Sequence, residues 1–256
     1  MKSAQLAAQL YTVRDHCRDA AGLAASCARI AAIGYRAVQV SGVGPIPPAE
    51  IRRIVTDHGL VICATHEPGA KICDEPQAVV DRLGALGCDA TAYPSPHVPL
   101  TDLPAVRTLA AKLNASGEIL RKAGIQLCYH NHAHEFVRVD GRPVLQWIFD
   151  LTDPRWLQAE PDTYWLQCGG VDPATWCARF PGRLPLLHLK DYQIDAEYKP
   201  TVAEVGNGNL DWRGICAAAD ACGTRWFIVE QDTCPGDPFA SLAASFAYLS
   251  HQIAVG

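Results

Sequence analysis

The strongest constraint in this sequence is an alternation. Short apolar runs with strand character recur about every thirty residues, and a segment of helical period fills each interval. The strand segments are Leu6–Leu10, Ala37–Val40, Leu60–Thr65, Ala90–Tyr93, Ile125–His130, Trp156–Glu160, Leu184–Leu189 and Trp226–Glu230. Helices are expected to begin near Arg14, Pro48, Pro76, Asp102, Arg142, Asp172, Asp211 and Asp237, several of them on the Asp or Pro that favours a helix start. A strand followed by a helix, repeated, builds a parallel sheet, because parallel neighbours need a crossover connection. Six repeats would suit an open sheet. Eight repeats in 256 residues, with no linker or shift of composition, predict a single α/β domain over 1–256, a closed (β/α)8 barrel.

Composition then narrows the function classes. Lys and Arg number 22 against 27 Asp and Glu, a net charge of −5 without a basic block, which argues against a nucleic-acid partner. No apolar stretch approaches the ~18–20 residues of a membrane span, so no membrane partner is expected. The N-terminal apolar segment is interrupted by Gln5 and Gln9, so no signal peptide is expected either. The 11 cysteines include no CxxC pair, and the closest two are Cys216 and Cys222. Reduced, buried thiols of a cytoplasmic protein fit this pattern better than a disulfide framework or a zinc–thiolate site. The first strand-to-helix turn lacks GxGxxG, which discounts a nicotinamide cofactor.

A (β/α)8 barrel carries its chemistry at the C-terminal ends of its strands. Here those ends are polar. Strand one ends in Gln9 and Tyr11, strand two in Gln39 and Ser41, and strand three in His66 and Glu67. Strand five ends in His130, Asn131 and His132; strand six in Glu160 and Asp162; strand seven in His188 and Lys190; strand eight in Glu230 and Asp232. Side chains alternate faces along a strand, so Gln158, Glu160 and Asp162 share a face, as do His188 with Lys190 and Glu230 with Asp232. The residues between them, such as Leu187, Leu189 and Val229, are apolar and suit the helix-covered outside. Charges in a barrel mouth are costly unless paired or metal-bound. His130, Asp162, His188 and Glu230 come from four successive strands and form a mixed nitrogen–oxygen donor set. Such a set suits one divalent ion, Mn, Co, Fe or Zn better than a thiolate-loving or all-oxygen ion, with Mg also kept among the candidates.

At these residues the sequence resembles the xylose-isomerase-like TIM barrel superfamily, the sugar phosphate isomerase/epimerase family, whose relatives include inosose dehydratase and ketose 3-epimerases. The resemblance rests on Gln9–Arg14, Tyr129-His130-Asn131-His132 with Glu135-Phe136, and Asp162-Thr163-Tyr164-Trp165. It continues through His188-Leu189-Lys190-Asp191, Glu204-Val205-Gly206-Asn207-Gly208 and Val229-Glu230-Gln231-Asp232. It implies that His130, Asp162, His188 and Glu230 hold the ion. The epimerases usually carry Glu at the strand-five position, where it also acts as a base, and the second strand commonly ends in Glu. This chain has His130 and Gln39 there, which argues against a symmetric two-glutamate mechanism.

The expected reaction is proton abstraction next to the carbonyl of a keto sugar or polyol, through an enediolate. Glu230, His130, His132 and Lys190 are the catalytic candidates: a carboxylate, two imidazoles able to exchange protons near neutrality, and a cation for the oxyanion or for a salt bridge to Glu160 or Asp232. Gln9, Tyr11, His66, Glu135, Glu160 and Trp165 are the candidate sugar contacts, Glu160 also being placed to orient a ligand. Trp212 is a further stacking candidate, and Asp191 is expected to fix a loop or a neighbouring histidine. The alternatives are a lyase or dehydratase acting on 3-keto glycosides or inosose with the same metal site, and, in another class, a sugar-binding barrel without catalysis. Association into a homo-oligomer is left open.

Overall fold

The computed structural model describes residues 1–254. The strands in chain order are β1 (Leu6–Gln9), β2 (Ala37–Val40), β3 (Val61–His66), β4 (Ala90–Tyr93), β5 (Gln126–His130), β6 (Arg138–Val139), β7 (Arg142–Pro143), β8 (Gln158–Glu160), β9 (Leu186–Leu189), β10 (Asp191–Ile194), β11 (Pro200–Ala203) and β12 (Trp226–Val229). The helices are α1 (Ala20–Ile33), α2 (Pro48–Asp57), α3 (Gly69–Asp74), α4 (Pro76–Leu86), α5 (Leu103–Lys122), α6 (Val144–Leu151), α7 (Thr163–Cys168), α8 (Pro173–Cys177), α9 (Trp212–Ala221) and α10 (Pro238–Tyr248).

Eight strands form one sheet in the order β8-β5-β4-β3-β2-β1-β12-β9. The pairs within it are parallel. The two ends of that order meet through His188 N donating to Pro161 O at 2.9 Å, Ala159 N donating to Arg183 O at 2.8 Å, and a parallel bridge between Asp162 and His188. The sheet is therefore a nearly closed barrel ringed by helices, a single TIM barrel domain, as the alternation predicts. No helix among the described residues is long and apolar enough to cross a membrane.

Strand parity sorts the barrel into two apolar layers. Leu6, Ala8, Val38, Val40, Leu127, Tyr129, Leu187, Leu189, Phe227 and Val229 face outward and pack under the helices. The inward cluster is made of small residues: Ala7, Ala37, Cys63, Ala64, Ala90, Ala92 and Cys128, with Leu186 and Ile228. Two residues further along six strands, the same inward face turns polar, giving Gln9, Gln39, His130, Glu160, His188 and Glu230.

Helix starts follow the expected chemistry. Asp102, Asp172, Asp211 and Asp237 accept hydrogen bonds from backbone N–H groups of their first helical turns. The first helix departs from expectation. It begins at Ala20, capped by Asp19, and not near Arg14. Leu10–His16 forms tight 3-10 turns instead, because the Gln9 side chain accepts from Tyr11 N, and Arg14 Nη1 donates to Tyr11 O and Asp232 O at 2.8 and 3.1 Å. Two antiparallel hairpins, β6–β7 and β10–β11, are inserted into strand-to-helix connections.

Asp191 organises the second insertion. Its buried carboxylate accepts from Gly206 N at 2.8 Å, Gly208 N at 3.1 Å, Tyr192 N at 2.8 Å and Trp212 Nε1 at 2.7 Å. The glycines are required here. A Cβ on Gly208 would sit 2.4 Å from Asp191 Oδ1, and Gly206 has a φ of 97°. Trp212 is 2 % exposed and committed to this carboxylate, which corrects its reading as a sugar-stacking side chain.

Two predictions follow from this packing. Asp191→Ala strands several buried N–H donors and should destabilise the fold by about 3–4 kcal/mol in urea unfolding, since such donors cost roughly 1–3 kcal/mol each and relax in part. The 11 cysteines are all unpaired, and burial pushes the thiols of Cys27, Cys88 and Cys216 up to about 12. Thiol titration without reductant should therefore find close to 11 groups in denatured protein. In native protein only Cys73, Cys168 and Cys234, the half-buried ones, should react promptly.

Candidate active site

Glu160 lies at the centre of the polar layer and is fully buried. Its Oε1 accepts from Gln39 Nε2 at 2.8 Å and its Oε2 from His66 Nε2 at 2.7 Å. His130 Nδ1 and His188 Nε2 lie 3.5 and 3.7 Å from the same Oε2. The Gln39 carbonyl accepts from Gln9 Nε2 at 2.8 Å and from His188 Nε2 at 2.6 Å. His188 Nδ1 faces Glu230 Oε2 at 2.9 Å. An acceptor at each ring nitrogen favours the imidazolium. Burial opposes that charge, but Glu160, Glu230 and Asp162 outweigh it and raise the His188 pKa.

Asp162 divides its two oxygens. Oδ1 accepts from Trp165 N at 3.0 Å and caps α7, while Oδ2 lies 3.0 Å from Lys190 Nζ without hydrogen-bond alignment. Burial raises the Asp162 pKa to about 6 against the pull of Lys190. The Lys190 ammonium also lies 2.9 Å from Glu230 Oε2 and 3.1 Å from Asp232 Oδ2. Burial disfavours this ammonium, yet Asp162, Glu230 and Asp232 overcome that and hold it charged. In the same way, burial works against the Glu230 carboxylate, but Lys190 and His188 keep its pKa well below the usual range. Burial, followed by the neighbouring His188 and His66, pushes His130 well below 6.5, and burial lowers His132 to about 4. Both are neutral at pH 7, with lone pairs to offer.

A cavity of about 290 Å³ opens above this layer. Among the expected site residues Tyr11, His66, His130, His132, Trp165, Lys190 and Glu230 line it. Asp162 and His188 are fully enclosed, with ligand atoms within 4.8 Å of those of His130 and Glu230. Three candidate sugar contacts stand elsewhere. Gln9 and Glu160 are fully buried and committed to Gln39 and His66. Glu135 is turned into its own loop, where it accepts from His132 N at 2.8 Å and Tyr129 Oη at 3.1 Å. These three do not line the cavity, so direct sugar contact is not where the structure places them. Ser41, Pro94, Ser95 and Asp232 line it in addition. Ser41 and Asp232 follow strands at the parity that marks the mouth. Pro94 and Ser95 follow β4, whose end carries no charge to signal it.

Five buried side-chain polar atoms lack a hydrogen-bond partner among the described residues, and four of them are here: His130 Nδ1, His132 Nδ1, Asp162 Oδ2 and Trp165 Nε1. Buried polar groups are otherwise satisfied as a rule, so this concentration fits a site that receives a ligand, with Asp162 Oδ2 held meanwhile by the Lys190 charge at 3.0 Å and His130 Nδ1 3.5 Å from Glu160 Oε2. Charge points the same way. Glu160, Asp162, Glu230 and Asp232 are four carboxylates gathered around one ammonium, Lys190, and the His188 ring, whose pKa Glu160, Glu230 and Asp162 raise and which binds an ion only as the neutral imidazole. The set His130, Asp162, His188 and Glu230 could hold a divalent ion in both geometry and donor chemistry. A second group, His66, His130, Glu160 and His188, shares two of these residues, but its Glu160 and His188 atoms are committed to Gln39, His66 and Glu230.

Comparison with known proteins agrees with this architecture. The model of the xylose isomerase-like TIM barrel family matches residues 27–250. A curated inosose dehydratase of Lacticaseibacillus casei is 29 % identical over 158 residues, covering 55 % of this chain and 52 % of that protein. The chain thus spans about half the length of that relative. A sugar phosphate isomerase/epimerase from Parabacteroides distasonis superposes with a TM-score of 0.84 at 23 % identity, over 98 % of this chain and 95 % of the other. A xylose isomerase-like TIM barrel protein from Mycobacterium smegmatis, solved in complex with magnesium, gives a TM-score of 0.71 at 17 % identity, over 98 % and 97 % of the two chains. With its barrel, its polar strand ends and a family match over most of its length, the chain belongs to the xylose isomerase-like TIM barrel family.

Proposed function

We propose that this chain is a divalent-metal-dependent enzyme that removes a proton next to the carbonyl of a keto sugar or polyol, in the manner of the sugar isomerases and epimerases. The observation that carries the reading is the concentration of unpartnered buried donors and acceptors around one cavity. His130, Asp162, His188 and Glu230 would hold the ion. When bound, the ion polarises the carbonyl and an adjacent hydroxyl, which acidifies the C–H and stabilises the enediolate.

The remaining steps belong to side chains. His132 lines the cavity, is neutral and has an Nδ1 without a hydrogen-bond partner, so it is the side chain that would accept the proton. The electron pair of the C–H bond moves to the carbonyl oxygen, which the Lys190 ammonium, also at the cavity, helps to stabilise. Glu230 also lines the cavity and would orient the substrate hydroxyls. Trp165 and Tyr11 offer aromatic faces to a sugar ring. The proton then returns to a carbon, giving isomerisation or epimerisation. In the second reading the electron pair of the enediolate forms a C=C bond as the β C–O bond breaks, and the hydroxyl leaves as water with the proton that His132 took up, giving dehydration. An imidazole where the epimerases usually carry a glutamate leaves this second reading open beside the first. The naming of the curated relative as an inosose dehydratase agrees with it.

The cavity also favours an uncharged substrate. Lys190 is the one lysine or arginine among its lining residues, and three carboxylates surround it. Lys190, held by those carboxylates, is not free to meet a phosphate ester. The unpaired cysteines support residence in a reducing, cytoplasmic compartment.

Two measurements test this reading. His188→Ala should lose bound metal and activity together, by at least ~100-fold in kcat, consistent with loss of a metal ligand; full metal occupancy in that variant excludes the assigned site. Keto sugars, inososes and 3-keto glycosides, with and without phosphate, should be incubated with metal-loaded enzyme in heavy water. Solvent deuterium should enter the substrate or product carbon. Turnover without deuterium at any carbon rules out proton abstraction, and departure of a leaving group selects the lyase.

A further inference from the structure

Lys190 is 1 % exposed and occupies a place that a second cation needs. Its Nζ is 3.0 Å from Asp162 Oδ2, 2.9 Å from Glu230 Oε2 and 3.1 Å from Asp232 Oδ2. Asp162 and Glu230 belong to the four residues that could hold a metal ion, and Asp232 does not. An ammonium and a divalent ion held by the same two carboxylates repel strongly, because the mouth is enclosed and poorly screened. One of them must yield. The lysine has somewhere to go. Asp232 stands at the rim with a side chain 34 % exposed, and the Trp165 ring lies 5.6 Å from Nζ on the cavity side. A four-carbon stem with rotatable bonds permits that shift, whereas the ligands are fixed by strand ends and, in Asp162, by a helix cap.

We infer that Lys190 is a built-in competitor of the metal. It neutralises Asp162 and Glu230 in the metal-free protein and moves onto Asp232 when the ion enters. The inference rests on the metal site proposed above. It makes Lys190 a determinant of metal affinity and selectivity: only ions that gain more from two imidazoles and two carboxylates than the ammonium gains from the carboxylates displace it. It also gives Asp232 a role as the receiving carboxylate, which leaves the ammonium beside the cavity.

The test is metal affinity, read with Mn²⁺ and Zn²⁺ on chelator-stripped protein by calorimetry or by competition with a chelating dye. Lys190→Met should bind each ion at least ~10-fold more tightly than the parent, and Asp232→Asn ~10-fold more weakly, because the lysine then stays on the ligands. The metal-free Lys190→Met protein should unfold at a lower temperature than the metal-free parent, and Mn²⁺ should restore it. Equal or weaker binding by Lys190→Met overturns the inference, since it would mean that the lysine holds the ligands in place for the ion. Unchanged affinity in Asp232→Asn overturns the transfer to that residue, and this arm decides even if Lys190→Met fails to fold. A parent protein that binds neither ion defeats the metal-site proposal itself. A parent that binds, with Lys190→Met unchanged, defeats this inference alone.

Discussion

Three enclosed carboxylates at one end of an otherwise apolar barrel set the terms for everything around them. Glu160, Asp162 and Glu230 are 0–5 % exposed, a placement that would cost several kcal/mol apiece if they stood alone. None does. Glu160 faces Gln39 and His66, Glu230 faces His188 and Lys190, and Asp162 faces its own helix and Lys190. The raised pKa of His188 follows from its place among these charges, and the neutrality of His130 and His132 from their burial. The fold supports the arrangement with Thr163, whose hydroxyl meets the backbone of both His188 and Lys190 and so fixes where these two side chains leave the sheet.

The fold was legible where one period dominated. Strand segments with alternating or continuous apolar character, such as Ala37–Val40 and Ala90–Tyr93, are observed with those bounds. The Asp and Pro helix starts at 48, 76, 102, 172, 211 and 237 mark real termini within a residue. Arg14 misled because the stretch after strand one has helical composition, while a side chain folded back from Gln9 holds it in tight turns. The β6–β7 and β10–β11 hairpins were not legible. Their strands are two to four residues long, and what holds the larger one in place is Asp191, whose partners lie up to 21 residues away.

For the site, parity was the informative signal. It places His130, Asp162, His188 and Glu230 around one point because each stands at the inward position of a neighbouring strand end. Parity does not say how deep a side chain lies or whom it faces. Gln9 and Glu160 share the inward face yet spend their hydrogen bonds within the layer, and Glu135 reads as a loop carboxylate while it is 1 % exposed and locked to His132 and Tyr129. The three carboxylates around Lys190 come from two strand ends on either side of its own, so no local spacing announces them.

The floor under the polar layer has a consequence of its own. Ala7, Ala37, Ala90 and Ala92 have no rotamers to change, and Cys63 and Cys128 have little volume to yield. A side chain enlarged at any of these positions cannot be absorbed sideways, because the ring of strands closes the space around it. It would push along the barrel axis, where Gln39, Glu160 and the histidines stand on one side. Variation that tunes this barrel toward a new substrate would thus reach the reacting groups from below as well as from the loops above. A single methyl group on the floor would act as a shim, setting the height of the donor atoms by fractions of an ångström.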